Sequence, residues 1–571
     1  MNANKAIITG IFNGSTLIEI PFFQRSYVWN EELWQRLIDD MTYVVKSRKT
    51  HFLGSIILKQ GHQPVQGDKF TARYTVVDGQ QRLTTFLLFL KALCLLKGEQ
   101  IMFNFQFRIM GEDIALKHGK NDIAAFEHVT SVGVAEKIDN PHYSKIISAF
   151  NYFLEHIDVD SLDVMTVMMN AQFVRIDLDA NEDEQQIFDT INSLGVNLTV
   201  SELLKNYFFS RETIKEYEEK WSAVFECDTE TKAYWEKQIE AGRTKRAMID
   251  IFFDAYFQLF IQNKKYNISA EDKTMYSRLD KISQSYQHFI NKYAGGDKNV
   301  VLAQLKEYAD CFRNTFRPEY CDMNLPGQFG IERINILIFG LKYTSMIPYI
   351  LYVTKNVSDT EELNRIYALL ESYIMRRMIV RATSNNYNNL FTSLILGNIQ
   401  DTESLLAHLK KGNDSNAFIP TDEDVREGVH TSKLMNLHTK GILYLIESYI
   451  RPAKSALALL EFQQYSLEHL MPKKWRNNWY GCANEEQSRQ RDSILLTLGN
   501  LAIIPQSLNS SIRDSGWQEK KAGKGNKPGL YTCAAGLATF TDVLSTEEWN
   551  EETITTRANW LCEKSLELWK I

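Results

Sequence analysis

The 571-residue chain has no C-x-x-C pair. Its seven cysteines, at 94, 227, 311, 321, 482, 533 and 562, are odd in number and widely scattered. A disulfide framework is excluded on that pattern, and reduced, buried thiols of a cytosolic protein are expected. The opening MNANKAIITGIFNG lacks a basic stretch followed by an apolar run, so no signal peptide is expected. Long apolar runs are missing too. The longest, LTTFLLFLKALCLL, is short and interrupted by Lys91, which suits a core helix rather than a membrane span. Nor is there an excess of positive charge: the net value of −7 excludes a surface coated for nonspecific DNA or membrane binding, and leaves a local basic groove open. The chain shows no repeat, no low-complexity tract and no Walker-type glycine loop.

What is present is an ordinary globular composition, 44% hydrophobic and 24% charged. The length predicts two to four domains. Up to about residue 180, short strand-like runs (TLIEI, FLGSIILK, YTVVD, QFVRIDL) alternate with helical ones (EELWQRLIDDMTYVVKS, LTTFLLFLKALCLLK), which predicts an α/β or α+β domain. From about 185 to 450 the apolar residues recur at three- and four-residue spacing, as in RAMIDIFFDAYFQLFIQ, INILIFGLKYTSMIPYILYVTK and TEELNRIYALLESYIMRRMIV. That spacing predicts a bundle of long amphipathic helices. GNDSNAFIPTDED (412–424) and KKAGKGNKPG (520–529) read as loops. Residues 451–535 hold twelve Lys/Arg against seven Asp/Glu, the pattern of a solvated surface or of a place where phosphates dock.

Two polar segments interrupt the first domain: IPFFQRSYVWNEELWQRLIDD (20–40) and DGQQR (78–82). In the second, a strand-forming TVV meets Gly79, which permits a tight turn, and a helix begins near Gln80 to Leu83. Unpaired N–H groups and the dipole at a helix start favour anions. Arg82 adds a planar fork able to hold phosphate. Asp78 would repel a bare phosphate, so it is expected to face a ribose hydroxyl, a metal ion or Arg25. The competing reading is a turn closed by an internal Asp78–Arg82 ion pair.

Near the other end, YSLEHLMPKKWRNNW (465–479) precedes ILLTLGNLAIIPQSLNSSIRDSGWQEKK (494–521). Phosphodiester hydrolysis with one metal needs a base for water, oxygen ligands for a divalent cation and a group that holds the imidazole. Glu468, His469, Asn500 and Asn509 supply those chemistries, with oxygen donors suited to Mg²⁺ or Mn²⁺. The alternative is a buried, helix-capping histidine. Trp475 and Trp479 read as core aromatics rather than base-stacking platforms. Arg376 and Arg377 read either as DNA contacts or as a helix face paired with neighbouring acids.

The motifs PFFQRSYVW, FLGSIIL (52–58), VVDGQQRLTTF and EDEQQIFDTINSLGVNLTVSELLKNYF (182–208), in that order, resemble the N-terminal domain of GmrSD-type restriction enzymes. The resemblance covers roughly the first 210 residues and implies a ParB/sulfiredoxin-like fold. It further implies that Gln24, Arg25, Tyr27, Asp78, Gly79, Gln80, Gln81 and Arg82 line a pocket sensing a nucleoside triphosphate or DNA. Asn192, Gly195, Asn197 and Lys205 also match the family pattern, Asn192 and Gly195 as a helix C-terminal turn. Leu194 departs from it, standing where relatives often carry a polar or basic residue.

E-H-x-x-P followed by G-N-L and Asn509 resembles the HNH-type nuclease domain at the C-terminus of the same family. By that resemblance His469 is the general base, Glu468 and Asn509 hold the metal, and Asn500 orients the histidine or braces the turn. Lys520 and Lys521 bind the phosphate backbone or stabilise the transition state.

The implied plan is a predominantly helical, multidomain α+β protein. A sensing domain (1–210) leads through a helical spacer (211–440) to a ββα-metal (HNH) domain (441–571). The implied function is modification-dependent (type IV) restriction of phage DNA, such as DNA bearing glucosylated hydroxymethylcytosine. An NTP, Mg²⁺ or Mn²⁺, double-stranded DNA and possible homodimer formation belong to that expectation, as does a cytoplasmic location. The rivals are a phosphorothioate-sensing nickase of the same plan and a nucleotide-dependent regulatory DNA-binding protein with an inactive HNH domain.

Overall fold

The computed structural model describes residues 2–22, 24, 26–61, 69–178, 199–210, 213–242, 244–278, 281–411, 417–434, 436–452, 459–512, 514–533, 536–540 and 542–571. It is mostly helical with a small mixed sheet, and it forms two compact units, Met1–Glu218 and Glu219–Ile571.

The first unit is built on strands β1 (Asn2–Ile7), β2 (Thr16–Glu19), β3 (His51–Gln60), β4 (Ala72–Asp78), β5 (Leu116–Lys117) and β6 (Ala171–Leu178). They form one six-stranded sheet in the order β1-β6-β3-β4-β2-β5. The β1–β6 and β3–β4 pairs are antiparallel, and the other three neighbouring pairs are parallel. Helix α1 (Glu31–Ser47) starts where the Asn30 side chain accepts from the Leu33 N–H, with Glu31 and Glu32 favourably placed in the first turn. It buries Trp34, Leu37, Ile38, Met41 and Val44 along one stripe and stops at Arg48, which takes a left-handed conformation. Helix α2 (Gln80–Leu96) is apolar nearly all round, and accordingly it lies in the core rather than on it. Phe86 meets Phe173 of the sheet edge-on at 5.6–5.7 Å, as Phe89 meets Phe153 of the helix Lys145–His156.

The second unit is mostly helical up to Ile450, over a core rich in aromatics: Trp221 stacks on Phe253 at 5.3 Å and Trp235 on Phe312 at 5.7 Å. INILIFGLKYTSMIPYILYVTK is not one helix. A π-helical turn, Ile336–Gly340, is followed by Lys342 at φ 67° and a 3₁₀ turn before the helix Ile347–Asn356 begins. Helix α3 (Thr360–Ile379) carries Glu371, which takes two hydrogen bonds from Arg333 (2.6 and 2.8 Å) and one from the Trp569 indole (2.9 Å). Arg376 and Arg377 are buried on the same helix. Arg376 donates to the Trp569 carbonyl and pairs with Asp422, while Arg377 donates to the carbonyls of Phe418 and Thr383. Both guanidiniums are thus tied into the protein and are not presented to DNA.

Helix α4 (Asn436–Ile450) packs against the antiparallel strands β7 (Tyr465–His469) and β8 (Leu501–Pro505). Its fully buried Glu447 accepts from the backbone N–H groups of Ala538 and Thr539, each at 2.8 Å. The helices of this region include α5 (Gln506–Ile512), α6 (Trp517–Ala522) and α7 (Glu551–Leu568). Two stretches read as loops are partly ordered elements. The helix Asp422–Thr431 starts inside 412–424, and Lys520 and Lys521 close α6 ahead of a tight hairpin pairing Gly523 with Pro528.

Candidate functional site

In the first unit the DGQQR stretch turns β4 into α2. Gly79 sits at φ 94°, and a Cβ there would stand 2.7 Å from Ile56 Cγ2, so no other residue fits. Gln81 and Gln80 are buried. Gln81 behaves like a piece of backbone: its Oε1 accepts from Val28 N (2.9 Å) and its Nε2 donates to the Ser26 carbonyl (3.3 Å). Between those residues Tyr27 is 2% exposed. Its N–H donates to Asp122 (2.6 Å), its hydroxyl bonds Thr85 (2.7 Å) and accepts from the Trp34 indole (2.8 Å). Burial drives the Tyr27 hydroxyl far above its usual range and also raises the Asp122 carboxyl.

Arg82 lies over Gly54 and donates from Nη1 to the Ser55 carbonyl (2.6 Å) and to Asp78 (3.3 Å). The partner of Asp78 is therefore Arg82 itself, the internal ion pair. These two side chains keep partial exposure, 19% for Asp78 and 32% for Arg82. Gln24 is buried, and its Oε1 has no hydrogen-bond partner among the described residues. Tyr27, Asp78, Gly79, Gln80, Gln81 and Arg82 thus gather at one turn, with Tyr27 and Gln81 holding the frame. Arg25, Asn192, Leu194, Gly195 and Asn197 lie outside the described residues. Lys205 is in the helix Val200–Phe208, which opens with a Thr199–Glu202 capping box.

In the second unit His469 ends β7, opposite Leu501 of β8. Asn500 precedes β8, is fully buried, and has every polar atom engaged. Its Oδ1 accepts from Met471 N (2.8 Å) and the Trp549 indole (3.0 Å), and its Nδ2 donates to the carbonyls of Met471 and Leu495 (both 2.9 Å). The Leu470 N–H also reaches the Asn500 carbonyl (3.0 Å). Asn500 therefore braces the chain just after His469, and its side-chain hydrogen bonds go to Met471, Leu495 and Trp549 rather than to the imidazole. Gly499 beside it has no room for a Cβ, which would fall 2.4 Å from the Ile554 carbonyl on α7.

His469 is half-buried. Burial, then the positive charges of Lys473 and Lys520, pull its imidazole down to about 4, so at neutral pH it is uncharged. Glu468 is buried beside it and pairs with Lys520, which is wholly buried and also donates to the His469 carbonyl at 2.7 Å. Burial raises the Glu468 carboxyl and lowers the Lys520 ammonium, and their mutual attraction opposes both shifts. Lys521 is buried as well, donating to the Thr546 carbonyl at 2.7 Å. Neither lysine reaches the surface, so this pair adds nothing to a basic surface there. Asn509 is in α5, and its side chain lies outside the described residues. Trp475 is buried and bonds Asp492, and Trp479 bonds the Trp549 carbonyl, both as part of the packing.

Among the described residues no three His, Cys, Asp or Glu side chains gather to hold a metal. The Glu468 carboxylate is paired with Lys520. Trp549 and Arg557 were missed from the sequence. Arg557 donates from Nη1 to the carbonyls of Gly499 (3.0 Å) and Leu501 (2.7 Å), either side of Asn500. No spacing rule points across nearly sixty residues to such a contact.

The first unit thus carries a polar helix-start turn on a mixed sheet, and the second brings His469 beside a buried Glu468–Lys520 pair. Residues 8–209 match the family model described as GmrSD restriction endonuclease, N-terminal domain, and residues 419–564 match that of the GmrSD restriction endonucleases, C-terminal domain. The two matches together cover more than half of the chain, which belongs to the GmrSD restriction endonuclease family. No curated protein matches it significantly. Among the described residues no helix is long and apolar enough to cross a membrane.

Proposed function

We propose that this chain is a DNA endonuclease of the modification-dependent (type IV) kind, and that it cuts at His469 in an HNH-type, ββα-metal arrangement of β7, β8 and α5. The observation that carries this reading is the half-buried His469 at the end of a strand whose following turn is fixed by four Asn500 side-chain hydrogen bonds. An imidazole there accepts the proton of an attacking water. Glu468 and Asn509 are the oxygen donors for Mg²⁺ or Mn²⁺, which when bound supplies positive charge to the phosphate being cleaved. Lys520 holds the Glu468 carboxylate and the His469 carbonyl together, and so acts by positioning.

The Asp78–Arg82 turn, in a ParB-like first unit, is the proposed input for a nucleoside triphosphate. Its support is the partly exposed guanidinium at the start of α2. Modified phage DNA is the proposed substrate, and a homodimer would provide two sites for two strands.

The test compares cleavage of modified and unmodified phage DNA, with and without each NTP and with Mg²⁺ or Mn²⁺. His469→Ala is expected to lose roughly 10²-fold or more of the rate, the scale of general-base catalysis. Arg82→Ala is expected to keep cutting and lose its response to nucleotide. Full cleavage by the His469 variant overturns the base assignment, and an intact nucleotide response in the Arg82 variant overturns the input site.

A further inference from the structure

The break in INILIFGLKYTSMIPYILYVTK opens onto a cleft of about 780 Å³ within the second unit. Residues of the helices Met248–Ile261, Ala270–Tyr276 and Tyr387–Leu396 line it as well, with His438 of α4. That volume falls within the roughly 300–1,000 Å³ of small-molecule sites. Lys342, on the wall, holds its left-handed φ of 67° just after the π-helical turn. Both departures from regular helix concentrate at functional sites.

Tyr343, Thr344, Ser345, Thr392, Gln262 and His438 all line the cleft. Their side-chain oxygens and nitrogens make no hydrogen bond among the described residues, and each of those atoms keeps accessible surface. Unengaged, reachable donors and acceptors that converge on one concavity are what orient a bound small molecule. The rings form a continuous wall. His438 lies nearly parallel to Tyr343 with centroids 6.3 Å apart, Tyr343 meets Tyr387 at 5.7 Å, and Tyr387 meets Phe391 edge-on at 6.0 Å. Tyr387 and Phe391 are buried, while Tyr343 and His438 are half-buried.

Arg246, Lys273 and Lys342 stand around the cleft alongside Asp254. Lys342 is paired with Glu240, whereas the half-buried Lys273 has no acidic partner among the described residues. Burial raises the Asp254 carboxyl to about 7, against the opposing pull of Gln258 and Arg246. Asp254 therefore presents a weakened negative charge to an anion entering beside it.

We infer that this cleft binds a single nucleotide unit, with its base against the Tyr343–His438 wall, its polar edges on Gln262, Thr344, Ser345 and Thr392, and its phosphate on Lys273. An aromatic wall accepts any base, since every base has a π-face. A purely apolar ligand would strand the amide and the hydroxyls, and an uncharged sugar would leave Lys273 unused. The unit is supplied either as a free nucleoside monophosphate or as a nucleotide unstacked from a DNA strand. The cleft is distinct from the Asp78–Arg82 turn, and the inference does not rest on the nuclease reading.

Isothermal titration of the full chain in EDTA tests it, with each deoxynucleoside 5′-monophosphate in turn and separately with a short single-stranded oligonucleotide of mixed sequence. Saturable binding is expected, weakened roughly tenfold or more in Tyr343→Ala, the scale of one lost base–aromatic stack. Lys273→Met is expected to weaken binding by roughly tenfold, the scale of a hydrogen bond to a charged group, and to flatten the salt dependence of oligonucleotide binding by about one phosphate contact. It leaves no acid unpaired, and it decides the matter if the tyrosine variant fails to fold. Arg82→Ala is expected to bind as the wild type does. Saturation by a monophosphate identifies a free ligand, and saturation by the strand alone identifies an unstacked nucleotide. No saturable binding of either probe, wild-type affinity in the Lys273 variant, or loss of binding in Arg82→Ala overturns the site. Because no readout requires cleavage, failure here leaves the nuclease reading standing.

Discussion

Replacing Asn500 by alanine strands four groups that have no water to turn to: the Met471 N–H, the carbonyls of Met471 and Leu495, and the Trp549 indole N–H. Each hydrogen bond contributes about 1 kcal/mol net, and a buried group left unpaired costs about 1–3 kcal/mol. Four losses in a site that is 0% exposed therefore total about 4 kcal/mol or more, before any relaxation of the 470–471 turn. That is a large share of the roughly 5–15 kcal/mol that holds a domain folded. Urea unfolding followed by tryptophan fluorescence measures it, since Trp549 itself reports on the site. Asn500→Asp sharpens the experiment. It keeps an acceptor for Met471 N and the indole, removes both donated bonds and buries a charge, so it is expected to be no more stable than the alanine variant. Cleavage should fall in both variants in step with the folded fraction. An alanine variant that unfolds within about 0.5 kcal/mol of the wild type would refute the bracing role.

Two further substitutions probe the first unit. The Lys91 ammonium is fully buried, stands 5.1 Å from the centre of the Phe103 ring and has no hydrogen-bond partner among the described residues. Burial pulls it from 10.5 to about 8, a shift worth about 3 kcal/mol at most. Lys91→Met should therefore raise thermal stability at pH 7 by about 1–3 kcal/mol. In the wild type the unfolded chain holds the extra proton between those two values, so stability rises with pH across that window, and the methionine variant should lose that rise. A destabilised Lys91→Met would show that the ammonium has a partner after all. Gly79→Ala combines a left-handed backbone, costing about 1–2 kcal/mol, with a clash against Ile56, and should lower the first unit's melting transition while leaving the second unit's in place. An unchanged first transition would mean the β4–α2 turn has another shape.

Much of the first unit was legible because its signals are local. The strand runs TLIEI, FLGSIILK, YTVVD and QFVRIDL all became strands of one sheet, and α1 and α2 begin at their caps. The turn at Gly79 was legible for the same reason. What closes the turn was not, since Gln81 finds its partners at Ser26 and Val28, more than fifty residues away. Lys520 shows the opposite error. By composition it belongs to a basic, solvated loop, but a carboxylate 52 residues upstream draws it into the interior. Arg376 and Arg377 were ambiguous for a related reason: most of their partners are main-chain carbonyls, and carbonyls leave no trace in a sequence.

The bond from the Trp569 indole to Glu371, and from the Arg376 guanidinium to the Trp569 carbonyl, gives the middle helices and the candidate cutting centre a common fate. A lesion at Arg333, Glu371 or Arg376 is expected to lower cutting simply by loosening the scaffold both share. Loss of cutting in this stretch is therefore poor evidence for a relay between the two units. Only a variant that melts like the wild type, still cuts, and has become deaf to nucleotide would trace one.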